Sequence, residues 1–158
     1  MTRQRLAMPR SFFALALALG MIPIVSPRLA AQGAPVSAKE AWVREAPEGR
    51  KVTAVFLRLE NSGATERHLV RGATEAADTL ELHEMKREGG MMRMSPVSRI
   101  TVPAHGEVLL RPGGLHLMLF GLHRPLAAGD TIRVTLTLDD GTRLEVPAEV
   151  RSMMGRMP

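Results

Sequence analysis

Imidazoles and thioethers recur at short spacing in the second half of this 158-residue chain. His116 and Met118 lie two apart in the apolar stretch "GGLHLMLFG", residues 113–121. His83 and Met85 lie two apart in "TLELHEM", residues 79–85, and Met91, Met92 and Met94 follow the turn signal Glu88-Gly89-Gly90. Side chains two apart on a strand project from one face. Leu115, Leu117 and Leu119 therefore take the core face of their strand, and His116 and Met118 take the other. A hairpin centred on Glu88-Gly89 would set His83 opposite Met94 and Met85 opposite Met92, all on one side of a two-stranded ribbon. A bulge at Gly89-Gly90 would shift that register and turn Met91 inward. If the hairpin's ligand face meets that of the 113–121 strand, His83, Met94, His116 and Met118 gather two imidazoles and two thioethers around one point. Neutral nitrogen and soft, neutral sulfur select Cu(I), whereas zinc gains little from a thioether. Met85 and Met92 are expected to pack beneath the site, auxiliary ligation being the alternative.

The elements that must hold these groups read as short strands separated by turns. "KVTAVFLRLEN", residues 51–61, is β-branched and aromatic and ends at Asn61-Ser62-Gly63. Further strands are expected at 68–71, 79–85, 91–94, 99–102, 107–110, 115–120 and 130–138. The last of these is joined through Asp140-Gly141 to 142–150. Residues 74–78 are expected to form one helical turn. Turns every eight to twelve residues point to an all-β sandwich or small barrel.

The ends of the chain are of a different kind. Arg3, Arg5 and Arg10 precede a fourteen-residue apolar run, Phe12 to Val25, and then a polar, small-residue segment ending at Ala31. That order is a secretory signal peptide over residues 1–31, cleaved after Ala31 or Gly33. The run is too short for a good membrane span, which needs roughly 18 apolar residues or more. Residues 32–39 are expected to form a flexible leader, 40–150 the folded domain, and 151–158 a loose tail containing Met153, Met154 and Met157.

Charge and cysteine usage narrow the function. Four of the 21 basic residues and none of the 16 acidic ones lie in residues 1–31, leaving 17 against 16. The basic balance is thus largely a targeting feature and gives no footprint for nucleic acid. The chain has no cysteine. A Cys-zinc site, a blue-copper centre and a redox pair are excluded with it. Eight of the eleven methionines lie beyond residue 31. Thioethers remain available as sulfur ligands in an oxidising compartment. "HEMKR" at His83 lacks the second histidine of a zinc-protease motif and the helix that motif needs, and no Gly-Lys-Ser/Thr follows "RPGG" to make a phosphate loop. No nucleophile–base set is present, so no enzymatic activity is expected. His68, His105 and His123 read as solvated surface residues.

The spacing His83, ten residues, Met94, twenty-one residues, His116, one residue, Met118 is that of the PCuAC family of periplasmic copper chaperones. Three further stretches resemble the family: "AWVREAPEGRKVTAVFLRLENSG" with Trp42 and Asn61, the hairpin "LHEMKREGGMMRMSPV", and "VPAHGEVLLRPGGLHLMLFGLHRPLAAGDTIRVTLTL". The similarity covers about residues 40 to 150. It implies a cupredoxin-like, Greek-key β-sandwich of about 7–9 short strands. It also implies one Cu(I) held by His83, Met94, His116 and Met118. The family role is to carry copper through the periplasm toward the copper centre of cytochrome oxidase. The implied partners are the copper ion and a copper-accepting protein, either an oxidase copper-site subunit or a Sco-like protein. The chain itself is expected to be monomeric, with no stable membrane span after processing. The tail departs from the family pattern in having no histidine, which argues against a separate Cu(II) site.

Three functions compete on this reading. A Cu(I) carrier should bind one equivalent and lose affinity below about pH 6, because both imidazoles must be unprotonated to ligate. A secreted β-sandwich binding or scaffold module would use the Met/His cluster as packing. A copper redox enzyme is disfavoured, since two thioethers with no open position favour the reduced ion.

Overall fold

The computed structural model describes residues 35–152. The expected signal peptide and the tail methionines lie outside those residues. Ten strands follow one another: β1 (Val36–Arg44), β2 (Val52–Asn61), β3 (Arg67–Thr74), β4 (Ala77–Glu88), β5 (Met91–Pro96), β6 (Ile100–Val102), β7 (Gly106–Leu110), β8 (Leu115–Leu122), β9 (Thr131–Leu138) and β10 (Arg143–Arg151). The expectation of an all-β chain holds, with ten strands in place of seven to nine. Among the described residues no helix is long and apolar enough to cross a membrane.

The strands hydrogen-bond in the order β5-β4-β8-β2-β1-β10-β9-β3-β6, with β7 added on β2. The path bends back on itself, so that β3 touches β4 and β6 touches β7. A Cβ added at Gly72 of β3 would collide with the side chain of Leu80 on β4, so a larger residue there would force Leu80 to move. The enclosed core takes alternate residues from each strand: Val55, Leu57 and Leu59 of β2, Leu117 and Leu119 of β8, Val134, Leu136 and Leu138 of β9. Each such side chain, fully withdrawn from water, contributes about 1.5–3 kcal/mol. Asn61 closes the end of β2. It is buried, its amide donates to the carbonyls of Thr65 and Val102, and its side-chain oxygen accepts from the Gly63 N–H.

Two local expectations are corrected. Residues 36–39, expected to belong to a flexible leader, are part of β1, which begins at Val36, 1% exposed and part of the core. The alternation in β1 is hidden by Glu40, whose φ of 53° lies in the left-handed region, and by a register shift against β2 between Lys39 and Trp42. The helical turn expected at 74–78 is a tight turn between β3 and β4, with the Thr74 hydroxyl accepting from the Ala76 N–H.

Candidate metal centre

Three neighbouring strands carry the histidines and methionines. β4 and β8 pair antiparallel with His83 directly opposite His116, Glu81 opposite Met118, and Leu82 opposite Leu117. The leucines point to the core, so the two histidines share the outer face. There they stand with ring centroids 6.0 Å apart. Both are almost fully covered, His83 at 6% and His116 at 5% exposed. Aromatic rings supply part of that cover. Phe120 lies 6.0 Å from His83 and Phe56 lies 6.3 Å from His116; Trp42 stacks on Phe56 at 4.5 Å.

The β4–β5 hairpin brings the sulfur. Its register is Met85 opposite Met94, Arg87 opposite Met92 and His83 opposite Pro96. The expected pairing of His83 with Met94 and Met85 with Met92 is therefore two residues out. The turn is centred on Gly89-Gly90, whose φ values of 57° and 83° suit a two-residue hairpin loop that demands positive φ at both positions. A slip of two preserves the face. His83, Met85, Met92 and Met94 do lie on one side. The condition that the hairpin's ligand face meet that of the 113–121 strand takes a side-by-side form. β5, β4 and β8 lie side by side in one sheet, and the histidines and methionines line a single face.

Met94 leans across β4, and its Sδ lies 3.4 Å from His116 Nε2. His116 Nδ1 lies 2.9 Å from the Gly114 carbonyl oxygen, which can only accept, so Nδ1–H donates there. In the neutral imidazole the lone pair is then on Nε2, facing a thioether that has no proton either. His83 shows the same logic in mirror image. Its Nε2 lies 3.0 Å from a carboxylate oxygen of Glu81, and its Nδ1 is buried with no hydrogen-bond partner. Two electron-pair donors, His116 Nε2 and Met94 Sδ, thus lie together without a proton to satisfy them, and a third, His83 Nδ1, is buried unpartnered on the neighbouring ring. Two imidazoles sharing an ion at about 2.0–2.1 Å have centroids at most roughly 6.4 Å apart, when the ion lies on the line between them. The observed 6.0 Å is within that reach. Among the described residues no group of three His, Cys, Asp or Glu side chains could hold an ion. The further donor in contact with the histidine pair is the Met94 thioether.

The other expected residues fall as follows. Met118 is partly buried on the same outer face, two residues beyond His116 and paired with Ala54 of β2 on its other side. Met85 is partly buried opposite Met94. Met92 is exposed, so the expected packing role does not apply to it, and Met91 is exposed as well. His105 and His123 are exposed, and His68 is partly covered, with Nδ1 3.2 Å from the Thr101 hydroxyl. Sequence reasoning assigned no role to Glu81, the Gly114 carbonyl, Phe56 or Phe120. The alternation of Glu81, His83 and Met85 on one face was the available signal for Glu81.

The all-β fold that carries this face is one that known proteins share. The profile of the family described as "Putative lipoprotein LpqE-like" matches residues 36–150. "Putative lipoprotein Lxx21020" of Leifsonia xyli subsp. xyli is 37% identical over 121 residues, 76% of this chain and 72% of that protein. The solution structure of CuI-DR1885 from Deinococcus radiodurans is 37% identical with a TM-score of 0.64, covering 81% of this chain and 87% of that one. The copper-bound PCuAC domain from PmoF2 has the same fold at 18% identity, TM-score 0.64, over 75% of this chain and 93% of the domain. The chain belongs to the LpqE-like family of PCuAC-type, cupredoxin-like domains.

Proposed function

We propose that this protein is an exported carrier of Cu(I), holding one ion with His83, Met94, His116 and Met118. The observation that carries the reading is the 3.4 Å approach of Met94 Sδ to His116 Nε2 while His116 Nδ1 is committed to a carbonyl. Two lone pairs facing each other repel unless an electrophile lies between them. The buried, unpartnered Nδ1 of His83 adds a third donor. Soft, uncharged donors favour the monovalent ion over zinc or Cu(II). The 37% identical DR1885 protein, solved as its CuI form, supports the same assignment.

Copper is cargo here. Neutral ligands release it to an acceptor by stepwise exchange, with no bond made or broken in a substrate, so the chain works as a carrier and not as an enzyme. The lipoprotein names of the family and of the Leifsonia relative support export, and the periplasm is the compartment in which a cysteine-free, thioether-rich site is of use. The acceptor we favour is a cytochrome oxidase copper-site subunit or a Sco-like protein.

Titration of the mature protein with Cu(I) in competition with a chromophoric chelator tests the reading, with X-ray absorption counting the neighbours. One equivalent bound by two nitrogen and two sulfur atoms is expected. No binding, or a shell without sulfur, overturns it.

A further inference from the structure

Among the described residues, Glu81 places a carboxylate in contact with the paired histidines, through a 3.0 Å approach of Oε2 to His83 Nε2. Its side chain is 49% exposed, while that of His83 is 8% exposed. A half-exposed carboxylate thus reaches inward to hold a covered ring. A carboxylate only accepts, so in the neutral ring Nε2 carries the proton and Nδ1 the lone pair. Nδ1 is the atom buried without a partner. The other ring is held the opposite way, with Nδ1–H donating to the Gly114 carbonyl and Nε2 left free of a proton.

Resting on the carrier reading above, we propose that Glu81 is a positioning residue that locks His83 as its Nε2–H tautomer, so that the two histidines present different nitrogens to Cu(I): Nδ1 from His83 and Nε2 from His116. The inversion follows from the different reach of the two tethers, a side-chain carboxylate at Nε2 of His83 and a backbone carbonyl at Nδ1 of His116. His83 and His116 are directly opposed on antiparallel strands, and each ring is tethered by a group two residues toward its own N-terminus, Glu81 or Gly114. The tethers therefore come from opposite ends of the pair. Metal-ligating histidines generally donate their other N–H to a carboxylate or carbonyl, which fixes ring orientation and tautomer, and losing that partner costs about 10–100-fold in metal affinity. Glu81 also brings a negative charge beside a site whose ligands are all neutral and whose cargo is a monocation.

Nitrogen-15 NMR of the histidine side chains tests this in the wild-type protein. Before copper is added, His83 is expected as the Nε2–H tautomer and His116 as Nδ1–H. With Cu(I), the metal-dependent nitrogen shift is expected at His83 Nδ1, with the Nε2 proton retained. A metal-bound Nε2 in His83, with Glu81 displaced, overturns the proposal. So does an Nδ1–H tautomer in the copper-free protein. Variants separate positioning from general damage. Glu81→Gln retains an acceptor oxygen and should keep affinity within about threefold, whereas Glu81→Ala should lose roughly 10–100-fold and mix the His83 tautomers. An Ala variant with unchanged tautomer and affinity refutes the positioning role. Absence of Cu(I) binding in the wild type would refute the carrier reading and the nitrogen assignment together, yet the copper-free spectrum would still score the tautomer lock by itself.

Discussion

Met94 on β5 touches His116 on β8 although β4 runs between their strands. The thioether spans that intervening strand because it is long and unbranched, and it remains 49% exposed while doing so. Met94→Leu keeps the bulk and removes the sulfur. Cu(I) affinity is expected to fall by at least tenfold, about 1.4 kcal/mol. Stability toward urea should change by no more than about 0.5 kcal/mol, as for surface substitutions generally. Chelator competition and urea unfolding of the same preparations check both halves.

The proposed ligand set takes one ring and one sulfur, His116 and Met118, from a single strand. Replacing both with alanine is expected to abolish binding of one equivalent of Cu(I). Unchanged affinity in the double variant would remove these residues from the site. Equilibrium dialysis with Cu(I) kept reduced gives the answer directly.

A native-state ligand must raise thermal stability. Free Cu(I) at 100 times its dissociation constant is expected to add about 2.7 kcal/mol, visible as an upward shift of Tm in calorimetry. A scaffold module that uses the histidines and methionines only as packing would show no shift.

Gly121 lies inside β8 with φ of 70°, and a Cβ there would run into the Asp78 carboxylate on β4. Gly121→Ala is expected to cost about 1–3 kcal/mol in urea unfolding, from the left-handed backbone and the collision together. Because β4 and β8 carry the two histidines, Cu(I) affinity should fall with it.

His123 gives a pH dependence separate from copper. Asp78 accepts from its Nε2, and the Glu75 carbonyl accepts from its Nδ1. These hydrogen bonds, the Asp78 one foremost, raise its pKa above the ordinary 6.5. A raised pKa stabilises the fold fully below the unfolded value and loses that contribution as pH rises through the folded value. The Tm difference between wild type and His123→Ala is therefore expected to be largest in mildly acidic buffer and to close in alkaline buffer. The effect should be small, since the ring is exposed.

The strands from β2 onward were legible because each is a short alternating run between Gly, Pro, Asn or Asp signals. β1 was not, since Glu40 and the shift beside Trp42 break its alternation, and Ala-Lys-Glu-Ala carries little strand character. Gly121 was read as closing β8, but its left-handed φ lets the strand continue to Leu122. Which strands become neighbours is a long-range matter that local periodicity does not encode. The placement of β4 beside β8, and so of His83 opposite His116, needed the structure. The face on which the histidines and methionines gather survived an error of two residues in the hairpin because side chains repeat every two. The tethers of the rings were hidden, because a surface glutamate and a backbone carbonyl carry no mark of their partners.

The site is built unequally. Its two rings belong to β4 and β8, strands bonded on both sides and sealed against the core. One sulfur belongs to β5, the outermost strand of its sheet, with water on its flank. On the proposed carrier reading, an acceptor arriving at that margin would meet the half-exposed Met94 before the buried imidazoles, so that hand-over would begin at the rim and leave the frame of the domain undisturbed.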